Sequence, residues 1–290
     1  YRRAYPQGQL ASHVLGFVAG TGEDASGYNG VEGQRNDTLA GIVRDQEVSN
    51  IPFGLPEDTA LLGSGADLVL TIDRDIQHLV EVELQAAINS TGATGGTIIV
   101  MDPRNGDILA MASYPTFDPN LYDQVEDERV LNNPAVSNVF EPGSIFKVIT
   151  VAAALEAGTV TPNWTYFDQG FIEIGTESIE NWDRRAHGTV DLTGVLVDSL
   201  NVGTATISRE MGWETFYRML DRFGIGRPTL VELQGEVGGL LRVPGDELWS
   251  ESDLGTNSFG QGVAITPLQM LTAVNAIAND GLMMQPRIVH

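Results

Sequence analysis

Glu141-Pro142-Gly143-Ser144-Ile145-Phe146-Lys147 runs into Val148-Ile149-Thr150-Val151-Ala152-Ala153-Ala154-Leu155-Glu156-Ala157-Gly158. Pro142 and Gly143 punctuate the chain just before Ser144, and from Ile145 to Ala157 only Lys147, Thr150 and Glu156 interrupt the small and apolar residues. That pattern, closed by Gly158, predicts a buried helix with Ser144 at its head. Residues three apart share a helix face, so Ser144 and Lys147 are expected about one turn apart. Lys147 is also the only lysine among 16 basic residues. Arginine keeps its proton near neutral pH, whereas burial lowers a lysine pKa by several units. The amino-terminal end of a helix carries roughly half a positive charge and unpaired N–H groups. Together with burial it disfavours an ammonium at Lys147 and favours an alkoxide at Ser144. A neutral amine beside a hydroxyl is a nucleophile and base that need no histidine. The Ser144 N–H is then a candidate donor to the oxyanion of an acyl transfer. The plainer reading, a capping serine with a solvated lysine, is disfavoured by the apolar residues around Lys147.

Ser199-Leu200-Asn201 falls between helices predicted over 192–197 and 202–211. Ser and Asn are common at helix boundaries, so by itself the tripeptide is a cap. Beside a Ser–Lys pair it takes on more: a second hydroxyl shuttles a proton between Lys147 and a leaving amine, and an amide holds a substrate carbonyl and the lysine.

Around these elements, Leu68–Asp73 is predicted as a strand. Ile76, Leu79, Val80, Leu84, Ala87 and Ile88 follow at helical spacing up to Gly92. Thr97–Met101 and Ile108–Ala112 are expected to form a hairpin whose Asn105-Gly106 supplies positive φ angles. Strands apolar on both faces imply a sheet between helices. Trp213–Phe223 is a further predicted helix, and Thr266-Pro267-Leu268-Gln269 is a capping box opening one that ends at Gly281. Helices mixed with hairpins, without regular strand–helix alternation, indicate an α+β fold. Residues 1–66, rich in Gly, Asp, Asn and Gln, are expected to be a small β-containing module, with linker-like Phe53–Asp58 and Gly63-Ser64-Gly65. The main domain then spans 67–290.

At 290 residues and 42% hydrophobic, the chain is large and apolar enough to bury a full core. A net charge of -23 repels nucleic acid and anionic membrane surfaces. The absence of cysteine excludes disulfides, thiolate zinc sites and a Cys nucleophile, and leaves the compartment open. No apolar run is long enough to span a bilayer, so any anchor is expected outside this chain. His13, His78, His187 and His290 lack ligand spacing and are expected in surface or core roles, with no metal or cofactor implied. Asn181-Trp182-Asp183-Arg184-Arg185 lies between the two motifs and is expected to be a polar turn with a packed Trp, in preference to a cleft rim. Asp123–Arg129 is expected to be a solvated charge run. Gly260-Gln261-Gly262, with no Lys-Ser/Thr after it, fits a packing turn near the site better than a phosphate loop.

The Ser144-Ile145-Phe146-Lys147 element and the Ser199-Leu200-Asn201-Val202-Gly203 element resemble the S-x-x-K and S-x-N elements of penicillin-binding proteins. Tyr5-Pro6, His13-Val14-Leu15-Gly16 and Gly30-Val31-Glu32-Gly33 resemble the non-catalytic pedestal module of class B enzymes. Thr71-Ile72-Asp73 with Gln77, Phe259-Gly260-Gln261-Gly262 with Thr266–Gln269, and Ala278-Asn279-Asp280-Gly281 resemble their transpeptidase domain, an antiparallel sheet flanked by helices. The resemblance implies a serine D,D-transpeptidase that cross-links peptidoglycan. Ser144 is then the nucleophile, Lys147 the base, and Ser199 and Asn201 the relay and substrate holder. Stem peptides ending in D-Ala-D-Ala, an amine acceptor, β-lactams and wall-synthesis proteins are the implied partners, at the extracytoplasmic face of a bacterial membrane.

Three departures stand out. Ile145 replaces a frequent Thr. The family's third element, Lys-Thr/Ser-Gly on a strand lining the site, is absent, as is the membrane anchor, so the chain is expected to be an internal, carboxy-terminally truncated segment. Lacking that strand, the oxyanion hole is expected to lose one N–H, worth about 3 kcal/mol. The weighed alternatives are a D,D-carboxypeptidase or β-lactamase, in which water resolves the acyl-enzyme, and a non-catalytic scaffold of the wall-synthesis complex.

Overall fold

A computed structural model describes residues 3–41 and 65–290. Of the linker-like stretches expected at Phe53–Asp58 and Gly63-Ser64-Gly65, all but Gly65 lie outside them. At the centre of one half, Gly96–Met101 pairs antiparallel with Ile108–Tyr114. Val80, Leu84 and Ile88 of the helix Arg74–Thr91 pack on one face against Ala110 and Ala112. The other face places Met101, Ile108 and Met111 against Ala135, Val136, Leu268 and Ile288. The sheet is therefore covered on both sides, as its two apolar faces require.

Asp73 caps the long helix by accepting from the N–H groups of Asp75 and Ile76. Gln77, one turn in, is fully buried because its amide completes a strand edge: Oε1 accepts from Met111 N at 2.8 Å and Nε2 donates to Met111 O at 3.0 Å. Leu79 of the predicted apolar face instead points outward. The hairpin turn also differs from expectation. Only Gly106 has positive φ, at 83°, while Asn105 Oδ1 accepts from Asp107 N at 3.0 Å and Gly106 N donates to Asp102 O. The turn is thus longer than a two-residue one, and the register shifts between Val100 and Met101.

The amino-terminal residues fold onto this half. Phe17–Ala19 pairs with Ser26–Tyr28, while Ala11, Val14 and Val31 join the same apolar cluster as Met101 and Ile108. His13 is buried edge-on against Phe117, with Nε2 2.9 Å from Val130 O, and burial pulls its pKa down. The charge run is not wholly solvated. Tyr122, Val125, Val130 and Leu131 tuck against Phe17 and Phe117, leaving Asp127 and Arg129 paired at the surface.

The second half is helical. Lys147–Glu156, Asn201–Arg222, Glu251–Asn257 and Pro267–Ala278 enclose Phe146, Ile149, Ile207, Phe216, Leu220, Leu254 and Ala273. Gly212, at φ 72°, breaks Asn201–Arg222 where the sequence predicts two separate helices. The Thr266–Gln269 capping box is formed, with both of its bonds present. Between the two elements of the S-x-x-K/S-x-N pair, an inner hairpin, Phe171–Ile174 with Glu177–Glu180, is enclosed in sequence by an outer antiparallel pair, Thr165–Asp168 with Gly188–Asp191. Ile172, Ile174 and Ile179 of the inner hairpin bury against Val202, Ala205 and Phe259.

Candidate active site

The turn carrying Ser144 is held by main chain. Phe140 and Ile265 exchange both backbone bonds, Gly143 N donates to Gly260 O at 3.0 Å, and Gly262 N donates to the Glu141 carboxylate at 2.9 Å. Gly260 has φ 77°, and a Cβ there would stand 2.4 Å from Gly143 O, so glycine is required for the approach. The packing turn expected at Gly260–Gly262 is therefore present, directly against the turn that carries the site.

Gly143–Phe146 is one turn of 3-10 helix, and the α-helix starts only at Lys147. This corrects the expectation of one uninterrupted helix from Ile145. In a 3-10 turn residues i and i+3 eclipse, which stacks Ser144 over Lys147. Phe146 is fully buried and anchors the turn, leaving Ser144 and Ile145 exposed. Ile145 replaces the frequent Thr at an open position.

Lys147 is 1% exposed. Its Nζ donates to Ser199 O at 2.6 Å and Asn201 Oδ1 at 2.9 Å, and lies 3.0 Å from Ser199 Oγ. Ser199 Oγ is in turn 2.9 Å from Ser144 Oγ. All four residues singled out in the sequence therefore meet. The connection differs from the expected direct pair: the bonds of the amine go to residues 199 and 201, and Ser199 bridges it to Ser144. Burial lowers the Lys147 pKa to about 8, with no carboxylate to counter the effect.

Protonation state then sets the polarity of this chain. An ammonium donates to Ser199 Oγ, whose own proton points to Ser144. A neutral amine keeps two donors for Ser199 O and Asn201 Oδ1 and offers its lone pair to Ser199 O–H, freeing Ser199 Oγ to accept from Ser144. Deprotonating one buried amine thus reverses both hydroxyls and turns Ser144 into a proton donor along the relay.

Ser199 has φ 53°, a left-handed conformation that is sparsely populated for serine and typical of functional sites. Sequence reasoning missed this, along with the contacts from Glu180, Asn181 and Trp182 that surround the loop. Trp182 is not packed as expected: it is 71% exposed, with Nε1 donating to Asp198 O at 3.0 Å. His187 sits 3.1 Å from Asp183, in the same turn. Among the described residues no group of three His, Asp or Glu is placed to hold a metal ion.

In this fold a serine and a buried lysine are joined through the hydroxyl of a second serine. The profile of the penicillin binding protein transpeptidase domain matches residues 96–290. The chain belongs to that family. Penicillin-binding protein PbpB of Mycobacterium tuberculosis is 37% identical over 295 residues, covering 99% of this chain and 42% of the relative. Peptidoglycan D,D-transpeptidase FtsI of Escherichia coli is 34% identical over 284 residues, covering 97% and 47%. The chain thus spans less than half the length of these relatives. Among solved structures, penicillin binding protein 3 from Mycobacterium tuberculosis superposes with a TM-score of 0.83 at 36% identity, covering 99% of this chain and 60% of that one. The same relative has been solved in complex with aztreonam and with ampicillin.

Proposed function

We propose that the protein carrying this chain is a peptidoglycan D,D-transpeptidase acting through an acyl-enzyme on Ser144. One observation carries the proposal: a single hydroxyl, Ser199 Oγ, lies within hydrogen-bond reach of both Ser144 Oγ and the buried Lys147 amine. Ser144 Oγ attacks the carbonyl of the penultimate D-Ala while its proton moves to Ser199 Oγ, whose own proton moves to Lys147 Nζ. The Ser144 N–H donates to the oxyanion. Collapse breaks the C–N bond, the relay returns the proton to the leaving nitrogen, and D-Ala departs. An amine of a neighbouring stem then attacks the ester, giving its proton to the relay, and Ser144 Oγ recovers one as it leaves. Asn201 steadies the amine and the substrate carbonyl. A β-lactam follows the first half, its ring C–N bond opening onto Ser144.

Residues 1–66 are assigned as the pedestal module and 67–290 as the transpeptidase domain, the shared apolar cluster joining the two. The names of the relatives, penicillin-binding protein and peptidoglycan D,D-transpeptidase, support action on peptidoglycan, and hence on the wall side of the membrane. No helix among the described residues is long and apolar enough to cross a membrane.

Fluorescent penicillin applied to the full-length protein and to its Ser144→Ala and Lys147→Arg variants tests the assignment. The expected result is labelling of the wild type alone. Labelling that survives both substitutions overturns it, and an unlabelled wild type favours the scaffold alternative.

A further inference from the structure

The strand pairs over 165–191 take no part in the proposed chemistry, yet three consecutive residues at the end of the inner hairpin each bond the Ser199 loop. Glu180 O accepts from Asn201 Nδ2 at 3.1 Å, Asn181 Oδ1 accepts from Val202 N at 3.2 Å, and Trp182 Nε1 donates to Asp198 O at 3.0 Å. The loop is thus gripped on both sides of Ser199, whose left-handed backbone persists only where its surroundings over-determine it.

The middle residue is built in from behind. Asn181 is 2% exposed, and its Nδ2 donates to Asp168 Oδ2 at 2.7 Å and to Arg185 O at 3.0 Å. Asp168 is itself fully buried, with Oδ1 accepting from Gly170 N at 2.7 Å. Both donors of the amide and its acceptor are therefore used. Its orientation is fixed by the carboxylate, because only Nδ2 can face Asp168 and Oδ1 must then face the loop. A surface turn needs no such buried pair.

We propose that Asn181, oriented by Asp168, is a positioning residue for acyl transfer: it holds the loop 198–202 so that Ser199 and Asn201 meet the Lys147 amine. The inference rests on the transpeptidase reading and assigns a role to residues outside the motifs.

The test is the rate of acylation of the full-length protein by fluorescent penicillin, resolved into non-covalent affinity and the rate at saturation, with melting temperature measured in parallel. Asn181→Asp keeps the acceptor for Val202 N, removes the donor to Asp168 and to Arg185 O, and sets two carboxylates together. It is expected to slow acylation at saturation by about tenfold or more, since small misplacements of reacting groups are costly, while affinity changes little. Adding Asp168→Asn puts the donor on the other partner and is expected to bring the rate back to within about threefold of wild type. A purely structural role would not give this recovery in rate at constant melting temperature. Trp182→Phe removes the indole N–H and trims the ring at an exposed position, and is expected to slow acylation a few-fold without changing melting.

Asn181→Asp acylating at the wild-type rate overturns the proposal, as does a well-folded double variant that fails to recover. Should Asn181→Asp or the double variant not fold, Asp168→Asn, which takes away the carboxylate that orients Asn181, decides, and an unaltered rate overturns the proposal. A wild type that does not label at Ser144 defeats the transpeptidase reading itself, an outcome distinct from these.

Discussion

The turn that carries Ser144 and the loop that carries Ser199 bring their hydroxyls to 2.9 Å by opposite means. The first takes a left-handed φ only at a glycine, Gly143 at φ 59°, and is clamped by main chain, Gly143 against Gly260 and Phe140 against Ile265. The second has a left-handed residue and is held by side-chain amides and an indole. Backbone contact leaves no space for a side chain and makes Gly260 indispensable. Side-chain contact can be exchanged, provided that donor and acceptor still match. Ser144 therefore sits on the support that no side chain can enter, and Ser199 on the one that substitution can retune.

The largest expected effect lies where the two supports meet. Lys147→Arg leaves a guanidinium that cannot take up a proton, so acylation should fall by about 10²–10⁴-fold, the usual worth of general base catalysis. A smaller loss, measured as the rate of penicillin acylation, would mean that the amine is not the base. Gly260→Ala tests the first support alone. Its Cβ would meet Gly143 O at 2.4 Å on a backbone at φ 77°, so denaturant unfolding should show a loss of about 3 kcal/mol or more, with acylation impaired in step.

At Ser199 the comparison is between two variants that both lack the hydroxyl. Ser199→Gly should unfold about 1 kcal/mol later than Ser199→Ala, because glycine adopts positive φ without strain. Equal stabilities would show that the loop is not strained. The gentlest probe is pH. The amine is neutral above about 8, so acylation should rise through that pH and level off. Its folded pKa lies below the ordinary 10.5, so between about 8 and 10.5 the unfolded chain binds more protons and stability should rise with pH. Below about 8 both states are protonated and the full penalty of burying an ammonium remains. Lys147→Met should flatten both profiles, and a stability curve that still climbs would place the titrating group elsewhere.

Much of the frame was legible before folding. Gly92, Gly158 and the Thr266–Gln269 box mark helix ends because capping is local chemistry, written in adjacent residues; the strand expected over Leu68–Asp73 is instead a single bridge from Leu70 to Val289, with Asp73 capping the following helix. The hairpin strands around Gly106 were legible for the same reason. The segment 159–191 was not: its four strands are four residues long, too short for alternation to stand out, and only the inner hairpin buries a clear apolar row. The roles of Asn181 and Trp182 were hidden there, since an Asn-Trp-Asp turn carries no signal of what it will touch.

The amino-acid sequence alone determined that the single lysine, three residues after a serine, would lie in apolar surroundings, and that Ser199 and Asn201 would fall where one helix stops and the next begins. Tertiary structure decided that the amine reaches Ser144 through Ser199, and that Ser199 is bent into a left-handed backbone to do so. The physical reason is distance along the chain. Lys147 and Ser199 are 52 residues apart, and such a contact forms only when both cores have closed and the residues between them have been placed.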